Sequence, residues 1–300
     1  MKKSAKTASN AEVTTLEDLQ RRSQWVDVWK RLRKNKLAMA GLIIVAILVL
    51  MSVFANFLTP YDPAAQDAAN RFQNPSIRHL FGTDQYGRDI FCRMLYGGRV
   101  SLLVSVMGTG IALLASTFLG ACAGYFGGKV DSVIMRFMDV IMAVPVTLWA
   151  ICISTMLGTG IWQTGLAISV GGLAPGCRMI RATILTIRKQ EYVEAAESSG
   201  SSNFRIIMKH VLPNCLAPII VDTTLRLGQN ILMISSLSFI GLGIQPPTPE
   251  WGSMLNSGRQ YIRDFYPLVV FPGVFVMLTM FGFNVFGDGL RDALDPKLKR

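Results

Sequence analysis

The chain has 300 residues, of which 51% are hydrophobic and only 16% charged, and its mean hydropathy is +0.38. That is more apolar material than a soluble domain needs, so the chain reads as an integral membrane protein. The net charge of +11 calls for no nucleic-acid partner, because basic loops facing an anionic membrane surface account for it.

In chain order, residues 1–15 are small and polar and read as a mobile tail. Residues 16–36 carry Trp25, Val28, Trp29 and Leu32 at helical spacing, with Arg21, Arg22, Lys30, Arg31, Arg33 and Lys34 on the other faces. This suits an amphipathic helix on the cytoplasmic surface; a plain basic flank is the alternative. The first apolar run, 37–58, follows too long a polar leader for a cleavable signal and reads as an uncleaved anchor. Residues 59–99 are turn-rich and of mixed charge, an extracytoplasmic loop. Charge-free runs follow at 100–128, 140–177, 227–249 and 267–287, and Gly158-Thr159-Gly160 splits the second of these into two helices. The expectation is an all-α polytopic protein of six transmembrane helices, with a five-helix core over 100–290 and a cytoplasmic tail over 291–300.

Orientation follows from basic residues. The segments 1–36, 129–136, 178–209 and 291–300 hold 22 Lys/Arg, against 7 in 59–99 and 245–266. Both termini are therefore expected in the cytoplasm. Gly120, Gly124 and Gly128 form a small-residue ladder for close helix approach, either within the chain or to a partner. Between residues 178 and 214, good helix formers lie on both sides of Gly200. They predict two short helices with a glycine break on the inner face.

No catalytic set is present. The two histidines, His79 and His210, fall on opposite sides of the expected membrane, and the five cysteines (Cys92, Cys122, Cys152, Cys177, Cys215) show no CxxC pairing and read as apolar fillers. Gly127-Gly128-Lys129-Val130 is not a phosphate-cradling loop, so any ATPase is another protein. Asp222 and Arg226 lie four apart on one helical face, in the favourable order for a pair. With Asn230 they are candidates for a translocation path; the alternative is a self-neutralising pair packed against a neighbour. Asp139 and Arg136 read as interfacial. Unpaired membrane carboxylates and an inverted repeat, expected of a proton-coupled carrier, are not evident.

Glu194-Ala195-Ala196, then Gly200, then Val211-Leu212-Pro213, resemble the Glu-Ala-Ala loop of permeases of ABC importers. Further stretches agree: Gly82-Thr83-Asp84, Gly87-Arg88-Asp89, residues 237–243, Pro246 to Gly252, and Gly287 to Pro296. Together they resemble the C-type permease subunit of dipeptide, oligopeptide, nickel and glutathione importers, which share a MetI-like core. The resemblance implies an ATP-driven importer of di- or oligopeptides, with nickel-chelate or glutathione import, or a stand-alone carrier, as alternatives. It implies a coupling loop over 184–213 carrying Glu194, Ala195, Ala196, Gly200, Arg205, Leu212 and Pro213. It also implies a B-type permease in a heterodimer, two ATPase subunits that bind ATP and Mg, and an external solute-binding protein. This chain itself would bind no cofactor. Glu250 and Trp251 are candidates for an outer gate or for contact with the binding protein.

Overall fold

A computed structural model describes residues 26–295; the tail 1–15, the start of the basic segment with Trp25, and residues 296–300 lie outside it. The described residues form helices and contain no strand, only an isolated bridge between Thr83 and Asp89.

Helix α1 (residues 26–34) tucks Leu32 against Ala38 and Ala293 and leaves Trp29 half exposed. Asn35 then starts α2 (Lys36–Val53) by accepting the Ala38 N–H at 3.1 Å. Helix α2 lies close along the last helix: a Cβ on Gly41 would sit 2.8 Å from the Gly282 carbonyl. A short turn, α3 (Ala55–Leu58), leads into the loop 59–89.

The loop 59–89 is folded around buried charge. Asp84 accepts the Arg88 Nε–H at 2.7 Å, and Arg93 lies 3.7 Å away while donating to the Pro63 carbonyl at 2.8 Å. Gly87 has φ +76°, and a Cβ there would lie 1.7 Å from the Asp67 carbonyl, so no other residue fits this turn. Asp89 caps α4 (Ile90–Phe126) through the Cys92 N–H at 2.6 Å and faces His79 Nδ1 at 2.8 Å. The helix thus begins well before residue 100, where charge counting expects the loop to end. Arg93 and Arg99 are carried inside it because carbonyl groups answer them; Arg99 Nε donates to the Ser52 carbonyl at 2.6 Å.

Helix α5 (Gly128–Ala143) and α6 (Val146–Leu157) meet at 87°. Val144 is extended ahead of Pro145, which ends α5 and turns the chain, so this segment is not the straight span the charge-free run suggests. Gly158, at φ +84°, closes α6, and α7 (Ile161–Ile187) follows, as the Gly-Thr-Gly punctuation predicts. Helix α10 (Leu216–Phe239) starts earlier than the run 227–249, because it carries Asp222 and Arg226 as an internal pair, and ends earlier, ahead of Gly241 at φ +86°. Between them come α8 (Glu191–Ser198) and α9 (Asn203–Ile206); α11 (Trp251–Gly258) and α12 (Pro267–Leu294) complete the chain.

Four described helical stretches are long and apolar enough to cross a membrane: Lys36–Val53, Ile90–Phe126, Asn203–Phe239 and Pro267–Leu294; the bent α5–α6 pair makes up to five. The six-span expectation differs by α7. Its 27 residues reach about 40 Å at 1.5 Å per residue, but Arg178, Arg181 and a run of small residues dilute its apolar character. Both arginines are paired to α5, with Asp139 and Asp131.

The bundle is organised on α4 and α7, which approach along small residues. Cβ atoms added at Gly108, Gly120 and Gly124 would meet Ile168, the Cys177 carbonyl and Ile184 at 2.4, 2.8 and 2.9 Å. From the other side, Gly172 faces Ala112 and Gly176 faces Ser116, at 2.8 and 2.9 Å. The partner of the glycine ladder is therefore this chain's own α7, at Gly120 and Gly124; Gly128 lies past the helix in open space. Gly120→Leu should force the two backbones apart and cost about 1–3 kcal/mol, read as a lowered melting temperature in detergent, whereas Gly128→Ala should leave the seam unaffected.

Candidate coupling loop and intramembrane polar seam

Helix α7 ends at Ile187, and Gln190 turns the chain into α8. This helix is amphipathic at short range. Val193 is 0% exposed in a cluster with Tyr125, Ile180, Ile184, Ile206 and Val211, while Glu194 and Ala195 face outward and Ala196 is half-buried against the cluster. The end of α8 is a Schellman turn: the Ser201 N–H donates to the Ala196 carbonyl at 3.2 Å and the Gly200 N–H to the Glu197 carbonyl at 2.9 Å. Gly200 takes φ +78° in open space, which is what this turn demands of its residue. Arg205 on α9 is exposed, whereas Leu212 and Pro213, half-buried, lie in the 3₁₀ turn leading to α10. The seven residues thus divide: Glu194, Ala195, Gly200 and Arg205 present a surface, and Ala196, Leu212 and Pro213 support it. The predicted pair of short helices broken at Gly200 is present.

The second set lies on α10. Arg226 Nε donates to Asp222 Oδ2 at 2.6 Å, with side-chain exposures of 16% and 33%. Arg226 reaches over Gly172 of α7. One turn on, Asn230 Nδ2 donates to Thr109 Oγ1 at 2.9 Å, and Ser105 Oγ to the Leu227 carbonyl at 2.8 Å. Asp222, Thr223 and Arg226 line a small cavity with Thr109, Ser116 and Gly172. The three residues Asp222, Arg226 and Asn230 therefore form one polar seam against α4 and α7, beside an outward stripe of Gln229, Leu232 and Ser236. Asp222→Asn would leave a half-buried guanidinium without its carboxylate; the variant should melt lower than Arg226→Gln, in which the remaining carboxylate is the more exposed partner.

The third set is buried. Glu250 is 0% exposed and caps α11: its carboxylate accepts the Gly252 and Ser253 N–H groups at 2.9 and 2.8 Å and the Ser101 hydroxyl of α4 at 3.1 Å. Trp251, also 0% exposed, donates its indole N–H to the Met94 carbonyl at 2.9 Å and lies over Gly97 and Gly98. Neither side chain is available to touch a binding protein, which corrects that expectation. Proline-rich composition signals an exposed loop, but a capping carboxylate and an indole opposite a glycine pair lock this one inward.

Burial pushes the Glu250 carboxyl above its ordinary range, against the opposing pull of the Gly252 and Ser253 amides and the Ser238 and Ser101 hydroxyls. A folded-state pKa raised above the unfolded one stabilises most at low pH, and that contribution is lost as pH rises through the folded value. Stability measured against pH should therefore fall above the usual carboxylate range, and Glu250→Gln should flatten that slope. Glu250→Ala, which removes the cap, should cost about 1–2 kcal/mol at any pH.

Sequence reasoning overlooks Tyr125, whose hydroxyl reaches the loop, and the pairing of two acidic residues, Asp131 with Arg181 and Asp139, which it reads as interfacial, with Arg178. A tyrosine closing an apolar run was the available signal for the first. The other two needed the fold of α5 against α7.

These parts define a polytopic, all-helical membrane subunit that carries a small exposed loop helix on a buried anchor. Residues 116–300 match the model of the binding-protein-dependent transport system inner membrane component, and residues 23–75 that of the N-terminal TM domain of oligopeptide transport permease C. The chain belongs to the family of binding-protein-dependent transport system inner membrane components. Among relatives, the dipeptide transport system permease protein DppC of Alkalihalophilus pseudofirmus is 46% identical over 92% of this chain and 91% of its own length. The glutathione transport system permease protein GsiD of Escherichia coli is 41% identical over 93% and 92%. A solved structure of the MetNI methionine ABC transporter in inward-facing conformations aligns at TM-score 0.48 and 15% identity, covering 68% of this chain and 96% of that one. The protein is thus a multi-pass component of a bacterial inner membrane and a permease subunit of an ABC transporter, a family that works with an ATPase and a binding protein.

Proposed function

We propose that this chain is the C-type half of the membrane channel of an importer for di- and oligopeptides. The observation that carries the structural part of this reading is α8: Glu194 and Ala195 stand exposed on a helix whose other side, Val193, is sealed into the bundle. Such a helix can be pushed by a partner and cannot yield locally, which is what coupling to an ATPase requires. Ala195 permits close approach, Glu194 and Arg205 offer charge-assisted contacts, and Gly200 sets the turn. The relative named for dipeptide transport supports a peptide cargo; the one named for glutathione, itself a small peptide, supports the second reading.

In this reading α7 supplies the sixth crossing segment, both termini and the α8–α9 loop face the cytoplasm, and the outer loop and α11 face outward. A B-type permease completes the channel, two ATPases bind ATP and Mg, and a binding protein delivers cargo. The chain binds no cofactor itself. Asp222, Arg226 and Asn230 lie beside the path, and Glu250 and Trp251 hold the outer gate in register from within. Closure of the ATPases moves α8 and repacks the bundle from outward-open to inward-open.

Uptake of labelled dipeptide, oligopeptide, glutathione and nickel in cells that depend on this chain tests the cargo. Ala195→Arg should leave the protein inserted and abolish at least nine-tenths of uptake; wild-type uptake in that variant would remove the coupling role. Uptake of nickel alone would overturn the peptide cargo, and uptake that survives ATP depletion would overturn the importer.

A further inference from the structure

Two arms of the loop meet at a single side chain of α4. Tyr125, 4% exposed in the last turn of α4, places its hydroxyl 3.2 Å from Glu197 Oε1 on α8 and 3.3 Å from Asn203 Oδ1 at the start of α9. Those two residues flank Gly200, so the phenol spans the left-handed turn and holds both of its sides. One O–H cannot donate to two acceptors. With the Asn203 amide turned so that Nδ2 faces the phenol, Asn203 donates to Tyr125 and Tyr125 to Glu197. Arg188, at the C-terminus of α7, lies over the same ring at 5.5 Å. The ring itself is sealed into the cluster that contains Val193, Ile184 and Ile206. Tyr125, Arg188, Glu197, Ser201 and Asn203 line a polar cavity at this end of the bundle, so the tether crosses an open gap and is not buried in a packed surface.

We infer that Tyr125 is a positioning residue for coupling: its hydroxyl makes the turn at Gly200 move with the end of α4, so that displacement of the exposed loop helix is delivered to α4 and not absorbed by the glycine hinge. The inference rests on the coupling role proposed for α8 and deepens it by naming the link into the bundle. Apolar contacts beneath Val193 would transmit a push; the tether also transmits a pull and a rotation, because it grips both sides of the turn.

The test uses the complete transporter, this chain with its permease partner, ATPases and binding protein, in proteoliposomes, with uptake of labelled dipeptide or glutathione and ATP hydrolysis measured on the same sample. Tyr125→Phe keeps the ring, its cluster and the Arg188 contact and removes only the hydroxyl. Expected are unchanged assembly and binding-protein-stimulated hydrolysis, with several-fold less cargo moved per ATP. Glu197→Ala should show the same loss, Glu197→Gln, which retains an acceptor, should restore most of the ratio, and the Tyr125→Phe/Glu197→Ala double variant should be no worse than either single. A wild-type ratio in Tyr125→Phe, with the ratio lost in Ala195→Arg, would overturn the tether alone. A wild-type ratio in both would overturn the coupling reading and the tether with it.

Discussion

Everything else in this bundle depends on how closely α4 approaches α7. Two helices bearing ordinary side chains stand 8–10 Å apart; here glycine, alanine and serine at four-residue spacing on α4 let carbonyls and β-branched side chains of α7 sit where a Cβ would be. In a bilayer the lipid is as apolar as leucine, so expulsion of water supplies little association, and dispersion over a long, close seam is what remains. That seam fixes α7, and α7 in turn holds α5 through two ion pairs and presents its end as the root of α8. A sidestep in the seam would displace the cavity by Asp222 and Arg226 and the loop helix together.

Charge inside the apolar bundle follows one rule: each group is answered before it is buried. Arg93 and Arg99 are answered by carbonyls, Asp222 by Arg226, Asp131 by Arg181 and Glu250 by two amides and a hydroxyl. In the transporter proposed here, polar groups that are answered within the subunit do not trap cargo, and the outward stripe of α10 is left for contact with what passes or with the second permease.

The sequence made the helical class, the break at Gly200 and the split at Gly158 legible, because each rests on local chemistry: apolar run length, left-handed glycine and helix propensity; the Glu194-Ala195 surface came from the resemblance to the permease loop. It misplaced the start of α4, because a charge-free count treats Arg93 and Arg99 as loop residues and cannot see the carbonyls that answer them. It read residues 140–157 as one helix of a pair, although Pro145 was present to turn the chain inside it. Glu250 and Trp251 were legible as significant but not as buried, since their environment comes from α4, far away in the chain. Tyr125 was missed for the same reason: its partners are 72 and 78 residues distant.

Helix α4 has one property that its 37 residues confer directly. At 1.5 Å per residue it is about 55 Å long, with no proline in it, against a hydrocarbon core of about 30 Å. Its first turn is clamped among the charges of the loop 59–89 and its last turn holds Tyr125. Because the helix is unbroken from end to end, a tilt imposed at one end is carried to the other without a relay through a second element. In the transporter proposed here, the stiffness of this single helix sets how faithfully its two ends move together.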